Sequence, residues 1–230
     1  MYIFILIILK IIIEVYSKEI SINNEDQLLE VLKTNDDINE LIITISDISI
    51  DFENEIKLNN KIEKLSIKGI SKELSILNFK NITSGFIFDN SIKNVFINNI
   101  TIKGYLEFNN NSNIDIDNVI INGSTDFISN KNSPLVNINE LQFYGLSDGR
   151  EYCINLQGNI IIENSYFFGN PTCRNGIIYY DGENINSLNI FNTYFDGAYS
   201  NQCLNINNSN KIINIKNCIF ERGASFENGG

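Results

Sequence analysis

The chain has no histidine, no tryptophan, two prolines and one methionine in 230 residues. Without histidine, motifs built on an imidazole base are excluded, and acid–base chemistry would fall chiefly to carboxylates. Basic residues are also scarce: 17 Lys and Arg against 28 Asp and Glu leave a net charge of −11. Nucleic acid is a poor partner for such a chain, because binding it needs a basic stripe that displaces counterions. Acidic membrane surfaces are disfavoured for the same reason. Beyond the first seventeen residues no apolar run is long enough to span a bilayer, and helix signals are few. One all-β or solenoid domain suits this length.

What is abundant is periodic. The ten-residue pattern apolar-x-apolar-x-Asn-x-x-apolar-x-Gly recurs at Val95–Gly104, Ile114–Gly123, Val136–Gly145, Ile160–Gly169 and Leu188–Gly197, and with one extra residue at Ile213–Gly223. The closing glycines are 19, 22, 24, 28 and 26 residues apart. That spacing predicts an all-β fold, a right-handed single-stranded parallel β-helix, and is too irregular for a hexapeptide or nonapeptide repeat. Alternating positions such as Val95 and Ile97 point inward and their neighbours point out. Inward-pointing Asn99, Asn118, Asn164, Asn192 and Asn217 are expected to stack as an amide ladder at a bend, with Glu140 standing in that place in the third repeat. The glycine after each pattern is expected to permit the tight turn into the next face.

The start of the chain, MYIFILIILKIIIEVYS, is interrupted by Lys10 and Glu14. It reads as a secretory signal peptide over residues 1–17, with Val15 and Ser17 near the −3 and −1 positions. A charged n-region is missing, so an anchor or a buried strand is the alternative. Secretion, with no membrane insertion after cleavage, is the expectation. Residues 18–40 then form a strand and a capping helix, in which Asn24 and Gln27 supply a capping box and Leu28, Leu29 and Leu32 an apolar side. That helix, Glu25 to about Lys33, would cover the open end of the coil, which otherwise presents unpaired strand edges. The solenoid fills residues 41–230, with two coils between Leu41 and Phe88. Its last segment, GASFENGG, carries no cap, so a further chain or domain at that edge is expected.

Cys153, Cys173, Cys203 and Cys218 all lie in the last third. An even count in an exported chain favours disulfides, and the spacing does not suit zinc. Aligning the coils puts Cys153, Gly176 and Cys203 at one point of successive turns. Cys153 and Cys203 would be about 9.6 Å apart, beyond disulfide reach. Pairings through Cys173 or Cys218 remain open, as do free thiols stacked in the coil.

The run LSIKGISKELSIL followed by VFINNITIKG resembles the opening coils of the pectate lyase-like superfamily of right-handed parallel β-helices. The resemblance implies secretion and a polysaccharide as the default partner, and it leaves activity open because a fold does not fix a function. The family's catalytic patterns are absent. Arg150, Arg174 and Arg222 are the only arginines and none sits in an RxPxxR-type element; the His-bearing hydrolase motif is missing; Arg150 after Asp148 is the sole hint of an esterase arrangement.

The candidate acid pair is Asp115 and Asp117 on one outward face, with Glu163 in the Asp117 column two coils on and Asp181, Glu183 and Asp196 scattered. The alternative is solvated carboxylates that keep a β-face soluble. No cofactor is expected, and a Ca²⁺ site at Asp115 and Asp117 falls short of six to eight oxygens. Aromatic residues are more suggestive. Phe143, Phe167, Phe195 and Phe220 form an inward column, whereas Tyr144 and Phe168 share one outward column and Tyr166 and Tyr194 another. Such rings can stack on sugars. Loops folding over them are the alternative. Among the sequons at Asn81, Asn99, Asn110, Asn122 and Asn207, Asn110 and Asn207 are the favoured glycan acceptors. The reading is a secreted non-catalytic β-helix that binds polysaccharide or serves as surface structure. A divergent lyase or hydrolase, and a self-associating structural protein, are the alternatives.

Overall fold

A computed structural model describes residues 17–33, 38–58, 62–129, 135–182, 186–207 and 212–225. The expected signal peptide, apart from Ser17, lies outside the described residues, as do Glu183 and the last five residues. The rest is a parallel β-solenoid of about eight turns with one short helix. Its first face is a nine-stranded sheet: Ser17–Ile22, Glu40–Ile45, Lys64–Gly69, Asn94–Asn98, Asn113–Asp117, Leu135–Asn139, Asn159–Glu163, Ser187–Phe191 and Ile212–Lys216. Strict alternation produces it. In the strand Glu40–Ile45, Leu41, Ile43 and Ile45 are buried while Glu40, Ile42 and Thr44 are half-exposed.

The second and third faces belong to one 13-stranded sheet. The second carries Ser49–Phe52, Ile76–Phe79, Gln142–Gly145, Tyr166–Phe168, Tyr194–Asp196 and Ile219–Glu221; the third carries Ile56–Leu58, Gly85–Phe88, Tyr152–Leu156, Gly176–Tyr180 and Gln202–Ile206. The long strands Thr101–Asn109 and Ile120–Ile128 run through the corner and join the two. This corrects the expectation of a turn at each glycine. In those two coils Gly104 and Gly123 sit inside continuous strands and face each other in register. Gly104 has φ 140°, and a Cβ on Gly123 would overlap the Gly104 carbonyl oxygen. The missing side chain is needed for close approach of two coils at a bend.

Like stacks on like in the core. Phe88, Phe108 and Phe127 pile up at 4.8 Å between centroids, Phe167 and Phe195 at 5.0 Å, and the exposed Phe220 continues the latter stack at 4.6 Å. At the start of the solenoid the helix Glu25–Lys33 is capped by Asn24, whose Oδ1 accepts from the Gln27 amide at 2.9 Å. Gln27 returns the favour one residue early, accepting from the Asn23 amide at 2.7 Å. Leu28 is buried and Val31 and Leu32 pack against the core, while Leu29 stays half-exposed. In the last described coil Ile212, Ile213, Ile215, Ile219 and Phe220 are exposed.

The amide corner differs from expectation in where it stands. Asn99, Asn118, Glu140, Asn164, Asn192 and Asn217 all adopt left-handed φ between 49° and 56°. None is buried; they line the outside of the corner between the first and second faces. A left-handed bend turns the side chain out of the core, and Asn tolerates that conformation better than most residues. The amides nevertheless bond coil to coil, Asn118 to Asn99 at 2.9 Å, Asn192 to Asn164 at 3.4 Å and Asn217 to Asn192 at 3.3 Å. At Glu140 the chain steps sideways, because Asn164 donates to Asn139 Oδ1 at 2.9 Å. Asn118 also accepts from Lys72 Nζ at 2.6 Å. Asn118→Ala should therefore cost about 2 kcal/mol, from left-handed strain and lost hydrogen bonds. Asn118→Gly should cost about half as much, since glycine carries no strain there. Urea denaturation of both variants checks the order.

Candidate functional site

The outward aromatics assemble on the second face as the register dictates. Gln142, Tyr166 and Tyr194 share one column and Tyr144, Phe168 and Asp196 the next. The Tyr166 and Tyr194 rings stack at 5.0 Å and 6°, and Tyr144 lies 6.2 Å from Tyr166 and 6.3 Å from Phe168. Tyr144 is exposed and the other three are half-buried. Tyr194 donates its hydroxyl to Glu221, which with some burial pushes the phenol up to about 12. Arg222 holds the buried Asp196 with two nitrogens and lies over the Phe168 ring.

Between this aromatic group and the amide corner lies an open cleft of about 500 Å³. It is lined by Tyr144, Tyr166 and Gln142, by Asn164 and Asn192, and by Lys72 and Glu140. Lys72 arrives from a loop three coils below Glu140, and its backbone carbonyl is fixed by the Thr101 hydroxyl. Glu140 is the one carboxylate among the described residues lining the cleft.

The acids named from the sequence are elsewhere. Asp117 accepts from Asn139 Nδ2 at 2.7 Å and Asn98 Nδ2 at 2.9 Å, so both carboxylate oxygens serve to tie neighbouring coils. Burial, then the Asp117 charge, raises the Asp115 carboxyl above its ordinary value. Asp196 is committed to Arg222. Among the described residues no group of three or more His, Cys, Asp and Glu converges to hold a metal.

Sequence reasoning missed a network on the third face. Glu107 and Asp126 are aligned on neighbouring coils, and both lie 2.6 Å from the Tyr105 hydroxyl. Arg150 pairs with Asp126 and covers the Tyr105 ring at 4.9 Å; Asn155 donates to Asp126 Oδ1 and Asn109 to Glu107 Oε1. Burial and the two carboxylates raise the Tyr105 phenol far above its ordinary range. All four carboxylate oxygens are thus engaged within the protein. The 19-residue interval between the two acids, one coil length, was the available signal.

Beside that network a second open cleft, about 540 Å³, is lined by Arg150, Glu151, Tyr152, Asn155, Asn175 and Tyr179. The cysteine register explains part of its shape. Gly176 pairs with Tyr152 and Gln202, one residue away from the alignment with Cys153 and Cys203. Cys153 bonds to Cys173, with Cα atoms 5.3 Å apart, leaving Cys203 and Cys218 free. Burial raises the Cys203 thiol.

No family model, curated protein or solved structure matches this chain.

Proposed function

We propose that this chain is a secreted, non-catalytic β-solenoid of the pectate lyase-like kind that binds polysaccharide on its second face. The observation that carries the reading is the open cleft in which Tyr144 and Tyr166 stand beside side-chain amides. Aromatic faces stack on sugar rings while amides and carboxylates bond hydroxyls, the usual division of labour in a polar ligand site. The disulfide agrees with an oxidising compartment. Glycoside hydrolysis uses two carboxylates flanking the bond. One acid lines this cleft, and Asp115, Asp117, Glu107 and Asp126 lie outside it.

The test is a glycan array run beside assays for unsaturated uronates and reducing sugar. Binding without turnover is expected, and Tyr166→Ala should weaken it at least tenfold, about 1.4 kcal/mol, with the melting temperature little changed. Turnover by the parent chain that disappears in Asp117→Ala, with the melting temperature unchanged, would instead establish the hydrolase or lyase alternative. Silence in every assay would leave a structural role.

A further inference from the structure

We infer that the third face carries a second saccharide site, so that one chain holds two sugar chains at once. The inference rests on the polysaccharide reading above. Tyr152 and Tyr179 build this site from consecutive coils. Alternation breaks at Cys153 and Ile154, which are both buried, and this leaves Tyr152 as well as Asn155 half-exposed, with Asn155 in register with Tyr179. The Tyr152 ring leans across the next coil, where a Cβ on Gly176 would come within 2.9 Å of its Cε1. Only a glycine leaves that space, and the ring uses it to stack on Tyr179 at 5.1 Å and 27°.

The polar groups are then set by their inner partners. Asn205 Nδ2 donates to the Tyr152 hydroxyl at 2.6 Å and Asn207 Nδ2 to the Tyr179 hydroxyl at 2.9 Å. Each phenol oxygen is occupied as an acceptor and keeps its proton to give. Asn155 spends an N–H on Asp126 and keeps its carbonyl oxygen, and Arg150, with five N–H donors, binds the same carboxylate and the Tyr105 hydroxyl and keeps part of its fork. Donors from two phenols and a guanidinium, an amide acceptor and a flat pair of rings answer the alternating hydroxyls and apolar face of a sugar. The guanidinium charge is already balanced by Asp126. Glu151 adds a further negative charge at the rim. A neutral sugar therefore fits better than a uronate or a sulfated one.

The experiment is titration calorimetry of the full chain with cellohexaose, xylohexaose, maltohexaose and chitohexaose in turn. Two molecules per chain are expected for at least one of them. Tyr179→Ala should leave one, Tyr166→Ala the other, and the double variant none. Tyr179→Phe keeps the rings and guards against misfolding; it should weaken the third-face site at least fivefold. A soluble polymer of the same sugar should turn turbid with the parent chain and stay clear with either single variant, because cross-linking needs both sites. A stoichiometry of one that vanishes in Tyr166→Ala and is untouched in Tyr179→Ala and Tyr179→Phe overturns this inference and leaves the second-face reading standing. A stoichiometry of one that vanishes only in the Tyr179 variants does the reverse. No binding of any probe overturns both.

Discussion

Alanine at Gly123 should destabilise the protein by roughly 4 kcal/mol. Two coils are paired on either side of this position, Thr101–Asn109 below and Gln142–Gly145 above, so neither can move away without breaking a ladder. The added carbon would enter the space of the Gly104 carbonyl oxygen. That oxygen is backbone held by its own coil, and no rotamer change relieves the overlap. For a chain of this size the melting temperature should fall by roughly 10 °C. Asn122→Ala next door, a change on the outward side, should stay within about 0.5 kcal/mol. Equal effects at 122 and 123 in thermal denaturation would show that the coils are not packed backbone to backbone at this corner.

Removing the disulfide is the second large change. Cys153 lies in the third-face strand Tyr152–Leu156 and Cys173 in the loop that leads to the next strand of that face, 20 residues on. Closing a loop of that length restrains the unfolded chain by about 3 kcal/mol. The double variant Cys153→Ala, Cys173→Ala should therefore melt roughly 10 °C lower. It also leaves buried space in the core, which adds to the cost. Urea denaturation of the variant against the parent measures it. In the folded parent, alkylation followed by mass spectrometry should find Cys218 modified first, because burial both shields Cys203 and holds its thiol protonated. Rapid alkylation of Cys153 would refute the pairing.

The solenoid was legible because a coil repeats its own inside-outside pattern, and errors in one turn are corrected by the next. The columns Phe143–Phe167–Phe195–Phe220 and Tyr166–Tyr194 follow from that pattern directly. The asparagine column was found by spacing, but its direction was not. Side-chain direction at a bend depends on φ, and the residue type allows both an inward and a left-handed outward placement. The glycines misled for a related cause. A glycine signals freedom, and whether the freedom serves a turn or a close approach is decided by the neighbouring coil. The Tyr105, Glu107, Asp126 and Arg150 network stayed hidden because it joins two strands and a loop across the third face, where coil lengths vary and no fixed motif marks the register. A one-residue slip in aligning Cys153 with Gly176 was enough to conceal the room that Gly176 makes for Tyr152.

The unequal repeat lengths fall unevenly around the coil. From Asn113–Asp117 through Asn118 to Ile120, and from Ser187–Phe191 through Asn192 to Tyr194, the path round the amide corner is the same in length, and the spare residues sit at the other two corners, as in the loops at 146–151 and 170–175. From Asn94–Asn98 onward one edge of the prism is therefore a fixed spine, whereas the coil before it carries six residues at that edge, 70–75, and the opposite face is a terrace with adjustable borders. A lineage carrying this fold can lengthen or trim those borders, and so reshape what settles on the terrace, while the spine keeps these later storeys level.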